Sequence, residues 1–255
     1  MRRREESPQQ RAGQVRRERM RHARELVMAT AVLAFAWGLA NSPLVYVHEV
    51  QVTAPDAELQ RLVTEAIHLP SEASTLFYPL SRIERQVLRL PEAQAVEIER
   101  MPFHTLTVKV YRRVPIALVT GGTAHFLVGE DGVLVGVVPP GKTPLKLPVI
   151  DGLVSSEAQP GQRLQDGSRW VVTQAVEAGR RGGLTGEWHL DCSQPFDLCL
   201  SYGNVKGFLG SKDNLGRKME LFANLLQELR QRGKRPAYID VRVPDRIVWG
   251  PAGSS

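Results

Sequence analysis

The sequence predicts an α+β protein that follows an N-terminal membrane anchor. Three observations lead to this fold class. An uncharged run follows an Arg-rich tail, several short stretches alternate apolar and polar residues, and amphipathic stripes at helical spacing lie between them. A chain of 255 residues can hold one large domain or two small ones. We expect two small folded regions after the anchor.

Most of the positive charge lies in the first 25 residues. This tail holds nine Arg and four Glu, a net charge of +5 out of the +6 of the whole chain. Residues 26–255 therefore carry 24 basic and 23 acidic side chains. Such a balance argues against a basic face for nucleic acid. The tail instead indicates topology, and residues 1–25 are predicted to be cytoplasmic.

The predicted anchor is the uncharged run from Leu26 to Val47, which is long enough to cross a bilayer core. It predicts a transmembrane helix over residues 26–47, and the basic flank places everything after about residue 48 outside the cytoplasm. A cleaved signal peptide is the alternative, because Gly38-Leu39-Ala40 resembles a cleavage site. The long charged segment before the run favours the anchor.

A strand, two helices and two further strands are predicted after the anchor. Asp56 has the position of a helix N-cap, and Ser81 with Glu84 has the spacing of a capping box. This order packs two helices on one face of a three-stranded sheet, with Ile83 and Val87 buried. The predicted elements are strand 46–53, helix 57–68, helix 82–90 and strands 95–100 and 105–111.

The second folded region is predicted to contain a mainly antiparallel sheet and a long helix. Turns are expected at Gly121-Gly122 and at Glu130-Asp131-Gly132, and a boundary is expected near Gly152. A helix from Asp166 to Arg180 should bury Trp170, Val171 and Ala175. The other predicted elements are a hairpin of 188–192 with 198–202, a strand at 205–209, a helix from Leu215 that Gly233 ends, and a strand at 238–243 before a second apolar run at 247–249.

Two cysteines, Cys192 and Cys199, lie in the predicted extracytoplasmic part, where disulfides persist. The expected hairpin brings them near each other, yet cross-strand geometry is often unsuitable for a bridge. The sequence leaves both possibilities open, a disulfide between the two cysteines or two free thiols.

No pattern of catalytic or cofactor-binding residues is present in the sequence. The six histidines occur singly, without the spacing of metal ligands, and no Gly-x-Ser-x-Gly motif occurs. The run from Gly207 to Lys212 lacks the spacing of a phosphate-binding loop, and a strand-to-helix turn explains its glycines. We therefore expect no catalytic residue, no metal and no cofactor.

One motif pairs Gly207-Phe208-Leu209-Gly210 and the nearby Lys218 with Tyr238-Ile239-Asp240-Val241-Arg242. It is the most specific feature by which the chain resembles the FtsQ/DivIB family of bitopic bacterial division proteins, and the resemblance extends over nearly its whole length. Arg112 stands where the family usually has Glu. Further resemblance is carried by Tyr111-Arg112-Arg113-Val114-Pro115-Ile116-Ala117, Glu130-Asp131-Gly132-Val133-Leu134 and Leu147-Pro148-Val149-Ile150-Asp151-Gly152.

This resemblance implies a domain organisation. Residues 48–114 match the family's POTRA domain, and residues 115–249 match its β-rich domain. Residues 250–255 are then expected to form a short flexible tail.

The resemblance also implies a scaffold in the inner membrane at the division site, which binds partners of the FtsB/DivIC and FtsL type. If the last strand lies at a sheet edge, its backbone can pair with a strand of the partner. The predicted partner-binding residues are Tyr238, Ile239, Asp240, Val241, Arg242 and Val243.

Three other interpretations compete with this scaffold. Another POTRA-bearing envelope protein that handles exported polypeptides is the main alternative, although such proteins usually continue into a long alternating β-barrel sequence. An exported hydrolase requires a set of catalytic groups that the sequence does not offer. The strand at 238–243 could also simply complete the sheet, with Asp240 and Arg242 in solvent.

Overall fold

The structure is a computed structural model that describes residues 24–35, 37–38, 46–71, 73–101, 104–139 and 146–251. Residues 24–35 and 37–38 are helical. Within the described residues, no helix has both the length and the apolar character needed to span a membrane. The predicted span 26–47 includes residues 36 and 39–45, and the predicted tail includes residues 1–23, which lie outside the described residues.

The first folded region is a three-stranded sheet with two helices, in the predicted order. Strand order is β1-β3-β2, with β1 parallel to β3 and β2 antiparallel to it. Central β3 is therefore the only strand of this sheet that pairs on both sides. The elements are β1 Glu49–Thr53, α1 Ala57–Ala66, α2 Leu80–Val87, β2 Ala93–Met101 and β3 Thr105–Arg112.

Apolar side chains from both helices pack on one face of β3. Leu59 and Val63 of α1 and Ile83 and Val87 of α2 are fully buried against β3. This confirms the predicted inner face of the second helix. The strand contributes its alternate residues Leu106, Val108 and Val110.

The two helix starts differ in how well the sequence predicts them. Asp56 is the N-cap of α1, and its carboxylate accepts a 2.9 Å hydrogen bond from the Leu59 amide. The predicted capping box of Ser81 and Glu84 is wrong. Helix α2 begins at Leu80 with Pro79 in the N-cap position and has no side-chain cap. Pro79 has φ of −70°, so its ring already holds the backbone angle needed to enter the helix.

The second folded region contains a nine-stranded sheet in which antiparallel pairs predominate, as predicted. Strand order is β12-β11-β10-β9-β8-β7-β4-β5-β6. Parallel pairs are β11 with β10, β8 with β7, and β7 with β4. The strands are β4 Pro115–Gly121, β5 Ala124–Gly129, β6 Leu134–Val138, β7 Val149–Asp151, β8 His189–Asp191, β9 Leu198–Tyr202, β10 Val205–Gly210, β11 Pro236–Asp240 and β12 Val248–Pro251.

Two boundaries in this region differ from the prediction. The expected boundary near Gly152 is wrong, because β7 before it and β8 after it are parallel neighbours in one sheet. Gly250 and Pro251, assigned to the flexible tail, instead belong to β12. Residues 252–255 lie outside the described residues.

Two helices, α3 Asp166–Arg181 and α4 Leu215–Gln231, form the large core with the sheet. The prediction that Trp170 is buried is wrong, since 44% of its surface is exposed. Val171 and Ala175 face the sheet, and Trp170 lies about 100° away around the helix from Val171. The buried tryptophan is Trp188, just before β8.

Candidate partner-binding edge

The free edge nearest the C-terminus is β12, and the predicted edge at 238–243 is wrong. Strand β11 pairs with β10 on one side and with β12 on the other. Its backbone is therefore already used in the sheet. The apolar run 247–249 folds back as an additional strand after a turn, closed by a 2.9 Å bond from the Arg246 amide to the Val243 carbonyl.

The six predicted partner-binding residues divide between buried and exposed positions. Ile239 and Val241 are fully buried in the core. Tyr238, which is 39% exposed, lies with Asp240 on the opposite face of β11, and Arg242 extends toward that face. Val243 follows the strand in a turn and is exposed.

An aromatic pair covers this outer face. The rings of Phe208 in β10 and Tyr238 in β11 lie 6.0 Å apart, centroid to centroid, and are tilted by 60°. The Tyr238 ring also lies over β12. A Cβ atom added at Gly250 would clash with the Tyr238 ring, so any side chain there would have to displace that ring. The ring therefore extends the outer face up to the free edge.

Asp240 and Arg242 form a charged pair beside these rings. The Arg242 guanidinium donates through Nε to Asp240 Oδ1 at 3.0 Å and through Nη2 to Oδ2 at 2.5 Å. These hydrogen bonds lower the pKa of Asp240 from its ordinary value. The Arg242 guanidinium also lies 5.9 Å from the centroid of the Phe208 ring. Arg242 is thereby held over the outer face.

The edge strand itself presents two large apolar side chains. Val248 is 54% exposed and is paired in register with Asp240, whereas Trp249 is 36% exposed and is paired with Ile239. Their apolar run is visible in the sequence but lies outside the predicted partner-binding residues. Pro244 was the available signal for a turn before a final strand.

The family-like motif around Gly207 and Lys218 packs α4 against β10, the strand that pairs with β11. Strand β10 carries Gly207, where an added Cβ would meet the Phe222 ring at 2.7 Å. The Lys218 ammonium donates to the Ser211 carbonyl at 2.9 Å, and burial lowers the pKa of Lys218. Its side chain thus ties α4 to the end of β10. The motif places β10, β11 and α4 together rather than forming a ligand site.

The two cysteines are free thiols in the structure. Burial raises the pKa of Cys192 to about 12 and also raises the pKa of Cys199. Both thiols are therefore protonated at neutral pH and poor nucleophiles.

A second group of polar side chains lies elsewhere on the large sheet. On the outer face of the sheet, Asp151 hydrogen-bonds both Thr120 and His189. In the part of the chain that the structure describes, no group of three or more His, Cys, Asp and Glu side chains is arranged to hold a metal ion. A cleft of about 540 Å³ lies between α3 and α4, and its lining contains neither a carboxylate nor an imidazole.

The fold and this edge define an α+β protein of two sheets with an exposed, partly apolar strand suited to pairing with another chain. In sequence, the chain is similar to the cell division protein FtsQ of Geobacter sp. (strain M21). The two are 26% identical over 195 residues, which cover 74% of this chain and 69% of the relative. This similarity supports an FtsQ/DivIB-like assignment. No family model matches the chain.

Proposed function

We propose that the chain is a single-pass, non-enzymatic scaffold of the bacterial divisome. Its N-terminus is cytoplasmic, residues 26–47 anchor it in the inner membrane, and the rest lies outside the cytoplasm at the division site. Residues 48–114 act as a POTRA-like domain and residues 115–251 as the partner-binding domain. The Arg-rich tail, the uncharged run and the similarity to a cell division protein support this proposal.

The proposed partners are small membrane-embedded division proteins of the FtsB/DivIC and FtsL type. The observation that carries this function is the free edge of β12, whose outer backbone groups have no strand beside them in the described residues. A partner strand adds to β12 by backbone hydrogen bonds, which supply affinity without sequence specificity.

Specificity comes from the outer face beside the edge. Tyr238, Arg242 and Val248 form a continuous exposed surface there, supported by Phe208. Tyrosine supplies rigid amphipathic area, and arginine supplies charge-assisted hydrogen bonds to a partner carboxylate. The predicted partner-binding residues thus remain in the proposal, as neighbours of the edge rather than as the edge.

The test is a double substitution, Tyr238→Ala with Arg242→Ala, in the full chain reconstituted in bilayer discs. Truncating one hot-spot residue typically costs about 2 kcal/mol or more, so affinity should fall about thirtyfold if one of the two is such a residue and about a thousandfold if both are. The measurement is capture of purified partners of the FtsB/DivIC and FtsL type.

A matched control is Tyr111→Ala in the first sheet. Tyr111 is 37% exposed, close to the 39% of Tyr238, but lies on β3. We expect unchanged capture and an unchanged unfolding temperature for this variant, and a double variant that stays folded with only a small fall in unfolding temperature from the lost Asp240 ion pair. Undiminished capture by the double variant would overturn the proposed site.

A further inference from the structure

Three exposed apolar side chains, Leu76, Phe77 and Met101, form an apolar tip at one end of the first sheet. Leu76 is 53% exposed and Phe77 is 66% exposed, and both lie in the loop before α2. Met101, at the end of β2, is 46% exposed. Three large apolar side chains at one end of a small sheet are unusual for a surface that faces only water.

The loop that carries the tip is held in a fixed orientation. The side chains of Ala73 and Thr75 are buried, whereas those of Leu76 and Phe77 point outward. Amides of Leu76 and Phe77 both lie within hydrogen-bond distance of the Ser74 hydroxyl, at 3.3 and 3.4 Å. The Tyr78 amide donates to the Ser74 carbonyl at 2.9 Å. The local backbone therefore presents the two apolar residues outward.

The same loop is tied to Tyr46 and Val47, the last two residues of the uncharged run. Tyr46 forms a β-bridge with Ser74, and the Val47 amide donates to the Ala73 carbonyl at 2.8 Å. The His104 ring nitrogen donates to the Tyr46 carbonyl at 3.0 Å. The uncharged run ends at Val47 in the sequence. The apolar tip therefore lies at the point where the chain leaves that run.

The second folded region begins at the opposite end of this sheet. Glu49 and Met101 both pair with Thr105, at the start of β3, whereas Arg112 ends that strand. A strand of this length covers roughly 25 Å. The apolar tip and the nine-stranded sheet thus lie at opposite ends of β3.

A cationic side chain lies next to the tip. The Arg100 guanidinium donates to the Tyr78 carbonyl at 2.8 Å and is exposed. Aromatic and aliphatic residues with an adjacent arginine are the combination that favours the boundary between acyl chains and anionic head groups.

We infer that the loop at residues 74–78 docks on the outer surface of the membrane, with Leu76 and Phe77 inserted among the lipid head groups. This inference rests on the anchor in the proposed function. Because Tyr46 and Val47 end the uncharged run of the proposed anchor, the tip that is bound to them lies at the bilayer. Insertion would leave the far end of β3, after which the second folded region begins, pointing away from the membrane.

The test places a photoreactive benzoylphenylalanine at position 77 in the full chain, reconstituted in vesicles of phosphatidylcholine and phosphatidylglycerol. Phe196 provides a matched control, since it is also a phenylalanine, is 83% exposed, and lies in the β8–β9 connection. After irradiation, lipid adducts are quantified by mass spectrometry, and each preparation is washed with alkaline carbonate.

The expected result is a chain retained by the vesicles, with a lipid adduct at position 77 that exceeds the adduct at position 196 several-fold. Retention with equal adducts at both positions, or with a protein adduct at position 77, would overturn the inference while leaving the anchor intact. Release of the chain by the carbonate wash would show instead that the anchor itself is wrong, and the docking inference would fail with it.

Discussion

Arg113 Nη2 lies 3.1 Å from Asp131 Oδ2, and this ion pair joins the end of the first sheet to the β5–β6 turn of the second. The Arg113 side chain is only 6% exposed, and its guanidinium also donates to the Pro91 carbonyl. Its amide donates to the Glu92 carbonyl at 2.6 Å. One buried arginine therefore connects both folded regions.

We expect Arg113→Met to loosen this connection. The substitution removes the guanidinium that donates to the Asp131 carboxylate and to the Pro91 carbonyl. Its loss should lower the free energy of unfolding by about 2 to 3 kcal/mol. Chemical denaturation followed by circular dichroism measures the change. Arg112→Met is the adjacent control, because Arg112 is 41% exposed and should contribute less than about 1 kcal/mol. Equal losses in the two variants would show that Arg113 has no special role.

Val87→Asp tests the inner face of α2. The substitution places a carboxylate in a fully buried apolar position, and this should cost more than about 3 kcal/mol of unfolding free energy. Leu88→Asp, at the next position, changes a side chain that is 40% exposed and should be tolerated far better. An unchanged unfolding midpoint for Val87→Asp would refute the packing of this helix.

Gly207→Ala tests the close contact of β10 with α4. The added methyl group would lie 2.7 Å from the Phe222 ring, which is fully buried and has little room to move. We expect a loss of about 1 to 3 kcal/mol in unfolding free energy, from overpacking. Gly136→Ala in β6 adds the same group with nothing within 4 Å, so its effect on the unfolding midpoint should be near zero.

Acid should weaken the contribution of Asp240. Hydrogen bonds from Arg242 hold the pKa of Asp240 below its ordinary value of 3.8. The stabilisation is therefore complete above pH 3.8 and is lost as the pH falls through the lower folded value. The difference in unfolding free energy between the wild type and Asp240→Asn should stay constant from neutral pH down to about 3.8 and shrink as the pH falls further. A difference independent of pH would contradict the ion pair.

Local patterns in the sequence predict most of the elements correctly. The alternation of Leu106, Val108 and Val110 identifies β3, and Asp56 marks the start of α1, because both signals depend only on residues a few positions apart. Trp170 shows the limit of this reasoning. Trp170 is exposed because it precedes Val171 by one residue and so lies on a different face of the helix from Val171 and Ala175. The hydrophobicity of tryptophan does not indicate which face of a helix it occupies.

The candidate site was harder to predict than the fold. Whether Tyr238–Val243 forms an edge depends on which strand pairs beside it, and the four-residue β12 is too short to give a clear periodic signal. Which strands pair in a sheet, when they are distant in sequence, is determined by tertiary packing and not by local sequence patterns. The sequence therefore assigned the edge to β11, whereas β12 pairs beside it and is the last strand of the sheet on that side.

The central claim is that partners bind at the edge formed by β12, and the most direct test compares the two edges of the same sheet. Val248 in β12 and Val137 in β6 are both valines and are both 54% exposed. Each is replaced by lysine, which discourages strand pairing at an edge, and the dissociation constant for the partners of the FtsB/DivIC and FtsL type is measured. We predict that Val248→Lys weakens binding about tenfold or more, whereas Val137→Lys does not. Unchanged binding by Val248→Lys, or equal weakening by both, would contradict the account.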